Sequence, residues 1–190
     1  MNTTAHNDDA ERLLAHLTQL PPDGETLLIV TQKPIRRDGK MQFHANGAIK
    51  ATWPAALPDR AQLKPGAATY INTGCFIQDR FSKDKPSASA ANCEHVAFLM
   101  LDDVGTKSKQ PLLEPTWKIE TSPCNQQWGY VFSERPTKGE FTAAMKAIAA
   151  AGYTDPGATN AVRNCRLPGS VNLKPGRDGF AARLVAFHPK

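Results

Sequence analysis

The chain contains 190 residues, which is enough for one domain with a sizeable hydrophobic core. Its apolar content of 41% and charged content of 22% are ordinary for a globular protein. No apolar run approaches the roughly 20 residues that a membrane-spanning helix needs, which excludes a membrane-spanning protein. The net charge of +5 permits a polyanionic partner without requiring one.

The cysteines and the N-terminus bear on the compartment of the protein. The four cysteines are widely spaced and form no C-x-x-C pair. We therefore interpret them as reduced thiols of a cytosolic protein, rather than a disulfide framework or a zinc site. The N-terminus is polar and acidic and lacks the pattern of a signal peptide.

The N-terminal part of the chain predicts one helix and several strands. Leucines at helical spacing predict an amphipathic helix from Asp9 to Leu20, stopped by two prolines, and residues 1–9 are expected to fray. The other features expected here are strands at 26–31, 41–44 and 68–77, a hairpin turn at 37–40 and an irregular, proline-rich segment at 52–66.

A polar and basic segment follows at residues 78–89. It is either a solvated surface loop or a source of phosphate contacts from its cationic side chains. Those side chains are Arg80, Lys83 and Lys85.

The apolar run from Val96 to Leu101 ends abruptly in Asp102 and Asp103. A short run of this kind predicts a strand that is buried on both faces. Two carboxylates at its end cannot both enter a core, because an unpaired buried charge is too costly. We expect the two aspartates to hold a divalent cation. The alternative is a solvated turn, since aspartate and glycine are common turn residues.

The C-terminal part predicts a hairpin, a helix and a closing strand. Alternating residues at 117–121 and 127–132 predict the two hairpin strands, joined by a turn at 122–125. The aromatic residues on one face of the second strand are either core or a platform for bases. A helix is expected over 137–152, and a strand over 180–187.

Three polar clusters stand out: the two aspartates, the turn at residues 122–127 and the basic segment at 163–174. Carboxylates bind Mg²⁺ or Mn²⁺ through hard oxygens, and arginines clamp phosphate oxygens bidentately. Amide side chains add neutral hydrogen bonds. The three clusters together describe a site for a nucleoside triphosphate. Surface salt bridges are the alternative role for the arginines.

Three motifs carry a family resemblance. They are Leu101-Asp102-Asp103-Val104-Gly105-Thr106-Lys107, Glu120-Thr121-Ser122-Pro123-x-Asn125-x-Gln127 and Arg163-x-x-Arg166-Leu167-Pro168-Gly169-Ser170-x-Asn172-x-Lys174. This ordered triplet resembles the catalytic domain of archaeo-eukaryotic primases, in the branch of plasmid and phage replication primases and primase–polymerases. The resemblance covers about residues 68–187.

The resemblance implies a role for each candidate residue. The catalytic and metal-binding acids would be Asp102, Asp103 and Asp155. The incoming nucleotide would contact Ser122, Asn125, Gln127, Arg163, Arg166, Asn172 and Lys174, with Asn125 and Gln127 in place of the histidine usual in the family. DNA would contact Arg80, Lys83, Lys85 and Lys107.

These roles imply a template-dependent nucleotidyltransferase that makes primers on single-stranded DNA from nucleoside triphosphates, by two-metal catalysis with Mg²⁺ or Mn²⁺. The implied fold is α+β, an RRM-like antiparallel or mixed sheet flanked by helices. It would form one catalytic domain, with an N-terminal subregion at 1–67 and a catalytic core at 68–187. A replicative helicase domain in a longer protein and the cytoplasm of a bacterial host are the implied partner and location, with no membrane.

Two questions stay open from the sequence. Successive side chains of a regular strand point to opposite faces, so either the strand ends at Leu101 and a turn brings both aspartates round, or only one is a ligand. The alternative function is a non-catalytic module that binds single-stranded DNA or an origin on the same fold. A metal-dependent nuclease or relaxase is a further alternative. The five scattered histidines disfavour it, because a relaxase needs a paired histidine motif.

Overall fold

The computed structural model describes residues 3–37, 40–42, 48–55, 67–77, 88–174, 177 and 179–189. Within them the helices are α1 (Thr3–Leu17), α2 (Lys138–Ala150) and a short 3₁₀ helix (Pro156–Ala158). The strands are β1 (Glu25–Thr26), β2 (Leu28–Arg37), β3 (Lys40–Gln42), β4 (Ala48–Pro54), β5 (Ala68–Asn72), β6 (Gly74–Ile77), β7 (Cys93–Val96), β8 (Phe98–Val104), β9 (Trp117–Ser122), β10 (Asn125–Val131), β11 (Asn164–Arg166) and β12 (Arg183–Phe187).

The strands form three sheets in which every described strand pair is antiparallel. A four-stranded sheet has the order β12-β9-β10-β8, and a three-stranded sheet has the order β1-β6-β7. In the five-stranded sheet β11, β5 and β2 are neighbours, and β3 and β4 pair with successive parts of β2. The expected α+β class with antiparallel pairing is confirmed.

Two hydrophobic clusters cover the two faces of the four-stranded sheet. On one face, Phe98 and Met100 of β8 pack in a cluster that includes leucines of α1 and Ile71 of the five-stranded sheet. On the other, Leu101 packs in a cluster that includes Phe141 of α2. Strand β8 is therefore buried on both faces, as its unbroken apolar run predicts.

The hairpin and helix α2 also follow the sequence expectations. Strands β9 and β10 pair across a short turn, and Trp128 lies in the cluster beside α2, with Tyr130 and Phe132 packed against it. The aromatic face is therefore core rather than an open platform. Helix α2 begins after Thr137, whose side chain forms a capping box with Glu140.

Helix α1 differs from the expectation at both ends. It begins at Thr3 rather than Asp9, because residues 3–9 contain no proline or glycine that would interrupt it. It ends at Leu17 rather than Leu20, where the main-chain N–H of Leu20 bonds to the Leu17 carbonyl in a tighter turn. The residue before a proline disfavours helical geometry, so Pro21 ends the element early.

Two strand predictions were also wrong. Residues 52–54 belong to β4 instead of an irregular segment, and Pro54 is tolerated because it ends the strand. The expected strand 68–77 is two strands, which meet at Thr73 and join different sheets. The Thr73 N–H donates to the Arg163 carbonyl at 2.8 Å, and the Thr73 carbonyl accepts from Ala97.

All four cysteines lie in the described residues and are free thiols, as expected. No helix in the described part of the chain is both long and apolar enough to cross a bilayer. The basic segment with Arg80, Lys83 and Lys85 lies outside the described residues, so its predicted phosphate contacts stay predictions.

Candidate active site

Strand β8 continues through both aspartates to Val104 and contains a β-bulge. Trp128 of β10 pairs with Leu101, and Gln126 pairs with Val104. Gln127 alone therefore faces two residues, Asp102 and Asp103. Asp103 adopts a φ of 57°, which is unusual for a residue with a side chain. Such an inserted residue bends a strand and redirects its side chains.

The bulge places both carboxylates on the same face of the sheet. Leu101 and Val104 pack in one cluster although they are three residues apart, so the two residues between them share the opposite face. The two adjacent aspartates can therefore face the same ligand although the strand does not end at Leu101. It is also not necessary that only one of them acts as a ligand. The alternation used for the sequence expectation assumes a regular strand, and the extra residue breaks it.

Asp102 is held by donors on one of its carboxylate oxygens. The Gln127 Nε2 lies 3.2 Å from Oδ1, and the Asp103 N–H donates to the same oxygen at 3.0 Å. The Arg163 Nη2 lies 3.8 Å from the other oxygen, too far for a hydrogen bond. The Asp102 side chain is 22% exposed. Its Oδ2 is thus available to a further partner.

Asp103 is paired with a cation from the loop that follows β8. The Lys107 Nζ lies 2.9 Å from Oδ2. Burial of the Asp103 carboxyl opposes ionisation, but the hydrogen bond and charge of Lys107, a hydrogen bond with Asn125 and the charge of Lys174 lower its pKa below the ordinary value. The carboxylate is therefore the form present near neutral pH.

The third predicted acid does not join this pair. Asp155 precedes the 3₁₀ helix, and its Oδ1 accepts a hydrogen bond from the Gly157 N–H at 2.6 Å. Across the described residues, no group of three or more His, Cys, Asp or Glu side chains could hold a metal ion. Asp155 is in the neighbourhood, because its charge contributes to the raised pKa of Lys107, after the larger contributions of Asp103.

Gln127 links the aspartates to the basic segment. Its side chain contacts Asp102 through Nε2, and its Oε1 accepts from the Arg166 N–H at 2.8 Å. It is only 7% exposed. Gln127 therefore orients Asp102, and its direct contact with a nucleotide stays a prediction.

Ser122 and Asn125 are buried as well. The Asn125 Nδ2 donates to the Thr121 Oγ1 at 3.1 Å, and its Oδ1 accepts from the Thr106 hydroxyl. Ser122 is 1% exposed. The turn predicted to bind nucleotide forms a wall of the site, and nucleotide contacts from these two side chains also stay predictions.

Arg166 is a buried structural cation in this structure. Its side chain donates to the Val171 carbonyl at 2.8 Å and to the Ser170 Oγ at 3.3 Å. Its guanidinium carbon lies 4.7 Å from the centre of the Tyr70 ring. Asn172 is equally buried, and its Nδ2 donates to the Thr121 carbonyl at 2.8 Å. Arg166 and Asn172 thus shape the loop that carries Lys174.

Three of the predicted cations reach solvent near the aspartates. Lys107 is 75% exposed, Arg163 is 28% exposed and Lys174 is exposed. The Arg163 Nη1 donates to the Gly157 carbonyl at 2.9 Å, which holds the guanidinium between the 3₁₀ helix and Asp102. These side chains can meet an anionic ligand that approaches the two carboxylates.

Two hydroxyl groups in the site had no signal in the sequence analysis. The Thr154 Oγ1 accepts from the Asp102 N–H, and the Ser108 hydroxyl donates to the Asp102 carbonyl, each at 2.9 Å. Thr154 lies 52 residues from Asp102 in the chain, so no local pattern connects them.

Comparisons with known proteins identify the family and the fold of the chain. The family model for the RepB DNA-primase N-terminal domain matches residues 59–188, which include every candidate residue named above. No curated protein sequence matches the chain.

Three solved structures have a similar fold. The primase–polymerase domain of cyanophage S-2L has a TM-score of 0.60 at 18% identity, covering 97% of this chain and 91% of that one. The primase RepB′ has a TM-score of 0.58 at 16% identity, covering 97% and 57%. Its catalytic domain in complex with initiator DNA has a TM-score of 0.55 at 16% identity, covering 96% and 87%. Because the family model spans more than half of its length, the chain belongs to the RepB DNA-primase N-terminal domain family.

Proposed function

We propose that the chain is a primase catalytic domain that synthesises primers on single-stranded DNA for phage or plasmid replication. The observation that carries the proposal is the β-bulge, which sets two adjacent aspartates on one face of the sheet. Three cations lie beside them. The family match and the DNA complex of a structurally similar primase domain support the same activity.

The residues present fit a divalent cation such as Mg²⁺ or Mn²⁺. Carboxylate oxygens are hard ligands, and Mg²⁺ is usually held by one or two carboxylates together with water and substrate phosphates. The Arg163 Nη2 lies 3.8 Å from the Asp102 Oδ2, beyond hydrogen-bond distance, and the Lys107 ammonium beside Asp103 is exposed. The bound cation would neutralise phosphate charge and orient the reacting oxygens.

The finer part of this proposal is two-metal catalysis. Asp155 is not grouped with Asp102 and Asp103 in this structure, and it would supply the third acid only when the cations and the triphosphate bind. Asp155 binds the Gly157 N–H through one oxygen and has a second oxygen for another partner. No covalent intermediate with the protein is implied.

The cationic and amide side chains have separate roles in binding the ligand and in supporting the site. Arg163 and Lys174 bind the triphosphate, where the guanidinium can act bidentately and the ammonium group acts as a point charge. Gln127 keeps Asp102 oriented, while Ser122 and Asn125 form the wall beneath the ligand. Arg166 and Asn172 hold the loop that presents Lys174. The template contacts Lys107 and the basic side chains at 80, 83 and 85.

The first prediction concerns Asp102 and is tested by a primer-synthesis assay. The assay supplies labelled ribo- or deoxynucleoside triphosphates, Mn²⁺ or Mg²⁺, and defined single-stranded templates. Asp102→Ala should lower primer synthesis at least about 100-fold, because it removes half of the carboxylate pair that holds the cation. The matched control is Asp23→Ala, which changes an exposed acid in a turn outside the site.

The same assay separates the two functions. Primer synthesis at the wild-type rate in Asp102→Ala would exclude the catalytic assignment. A wild-type chain that binds single-stranded DNA without making primers would instead establish the non-catalytic binding module. A replicative helicase partner and the cytoplasm of a bacterial host remain part of the proposal.

A further inference from the structure

The β-bulge interrupts the hydrogen-bond ladder at the residues that the proposed chemistry uses. A bulge leaves its extra residue without a regular partner on the neighbouring strand. Buried main-chain N–H and C=O groups must nevertheless find partners, because orphaned ones are costly and rare. The partners of Asp102 therefore decide whether the bulge persists.

Both main-chain polar groups of Asp102 bond to buried hydroxyls from outside the sheet. The Thr154 Oγ1 accepts from the Asp102 N–H at 2.9 Å, and the Ser108 Oγ donates to the Asp102 carbonyl at 2.9 Å. Thr154 is 2% exposed and Ser108 is 8% exposed. Water cannot readily take the place of either hydroxyl.

The chain segments that carry the two hydroxyls are hydrogen-bonded to each other. Lys109, which follows Ser108, donates its N–H to the Gly152 carbonyl at 2.8 Å and its Nζ to the Ala151 carbonyl at 3.1 Å. Thr154 comes two residues after Gly152, in the segment that directly follows α2. Helix α2 is anchored by Phe141 and Met145 in the core. The end of this helix thus forms a fixed frame around Asp102.

We propose that Thr154 and Ser108 are positioning residues whose hydroxyls hold the β-bulge, and so keep both aspartates on one face for a divalent cation. This inference rests on the proposed function. Without the hydroxyls, Asp102 would regain main-chain partners by shedding the extra residue into a regular ladder. Regular alternation then sends one of the two carboxylates to the opposite face.

The test measures Mn²⁺ binding to the whole chain without nucleotide, from the electron paramagnetic resonance signal of the free ion, and primer synthesis in parallel. Thr154→Val keeps the shape of the side chain and removes the acceptor. It should weaken Mn²⁺ binding and lower kcat by about 10- to 100-fold, the usual effect of losing a residue that orients a metal ligand. The KM for the nucleotide should change little, because the Thr154 hydroxyl bonds to the Asp102 N–H and not to a phosphate-binding cation.

Two further variants separate positioning from folding. Thr154→Ser retains the hydroxyl and should restore Mn²⁺ binding to the wild-type level. Thr142→Val makes the same chemical change on α2, where the hydroxyl donates to the Lys138 carbonyl, and should leave Mn²⁺ binding unchanged. Should Thr154→Val fail to fold, Ser108→Ala tests the other hydroxyl.

The outcomes distinguish this inference from the proposed function. Wild-type Mn²⁺ affinity in both Thr154→Val and Ser108→Ala overturns the inference, but it does not overturn the proposed function in primer synthesis. Equal losses in Thr154→Ser and Thr154→Val also overturn it, because the hydroxyl is then not the active feature. A wild-type chain that neither binds Mn²⁺ nor makes primers overturns the proposed function and the inference together.

Discussion

At the residue scale, the ion pair between Lys107 and Asp103 determines how the site responds to pH. The folded-state pKa of Asp103 lies below its ordinary value of 3.8. A lowered carboxyl pKa contributes stability that is fully present above the unfolded pKa and is lost as the pH falls through the folded pKa. The contribution is therefore complete near neutral pH and disappears in acid below pH 3.8.

Lys107→Met removes the cation and should raise the pKa of Asp103, because burial of the carboxyl then meets less opposition. A carbon-13 NMR titration of the aspartate carboxyls measures this shift directly. Lys146→Met, on the exposed side of α2, serves as the control and should leave the titration of Asp103 unchanged. An identical Asp103 titration in Lys107→Met would show that the ion pair does not form in solution.

The residue scale also shows how far side-chain chemistry could be predicted. Aspartates, arginines and amides in ordered motifs pointed to segments that the structure brings together, through contacts such as Gln127 with Asp102. The sequence could not tell that Arg166 and Gln127 are buried, since burial depends on which segments pack over them. Gln127 meets the Arg166 N–H across 39 residues of chain, and no local pattern records such a contact.

At the element scale, the close contact of the β9–β10 hairpin depends on one glycine. A Cβ at Gly129 would lie 1.9 Å from the fully buried Trp117 ring. Gly129→Ala should therefore lower the free energy of unfolding by about 1–3 kcal/mol or more, as overpacked cores do. Urea unfolding followed by tryptophan fluorescence measures the loss.

The control for this prediction is Gly139→Ala, in the first turn of α2. A Cβ there meets nothing closer than 3.9 Å, so the change should be neutral or stabilise the chain by up to about 1 kcal/mol. The two glycine variants should thus differ in sign. Equal stability of Gly129→Ala and the wild type would mean that the strands separate more easily than the structure indicates.

Elements were predictable where their periodicity is regular. The hairpin strands, α2 and the apolar part of β8 all follow simple alternation or helical spacing. The bulge could not be predicted, because the residue types around it are the same as those at the end of a regular strand. The break at Thr73 was missed for a similar reason: its cause is bonding to Arg163 and Ala97 in other segments.

At the scale of the whole molecule, the reactivity of the thiols shows whether the two hydrophobic clusters stay closed. Burial raises the pKa of Cys75 and Cys165 to about 12 each and that of Cys93 to about 11. Cys75 and Cys165 lie in the cluster beside α1, and Cys93 lies in the cluster beside α2. Cys124 is exposed in the β9–β10 turn.

One thiol, that of Cys124, should therefore react with an aromatic disulfide reagent in the native chain at pH 8, and four should react after denaturation. The reaction depends on the thiolate, and three of the thiols are protonated and covered. Absorbance of the released thiol counts them. Cys124→Ser should abolish the native reaction, and a second fast-reacting thiol would mean that a cluster opens readily.

Residue types and short-range periodicity were enough to predict the family, the α+β class and the apolar strand that ends in two aspartates. Other features depend on tertiary packing: the shared face of the two aspartates, the burial of Gln127 and Arg166, and the contact of Thr154 with Asp102. They could not be predicted because a bulge and its hydrogen bonds involve segments far apart in the chain, and Thr154 lies 52 residues from Asp102.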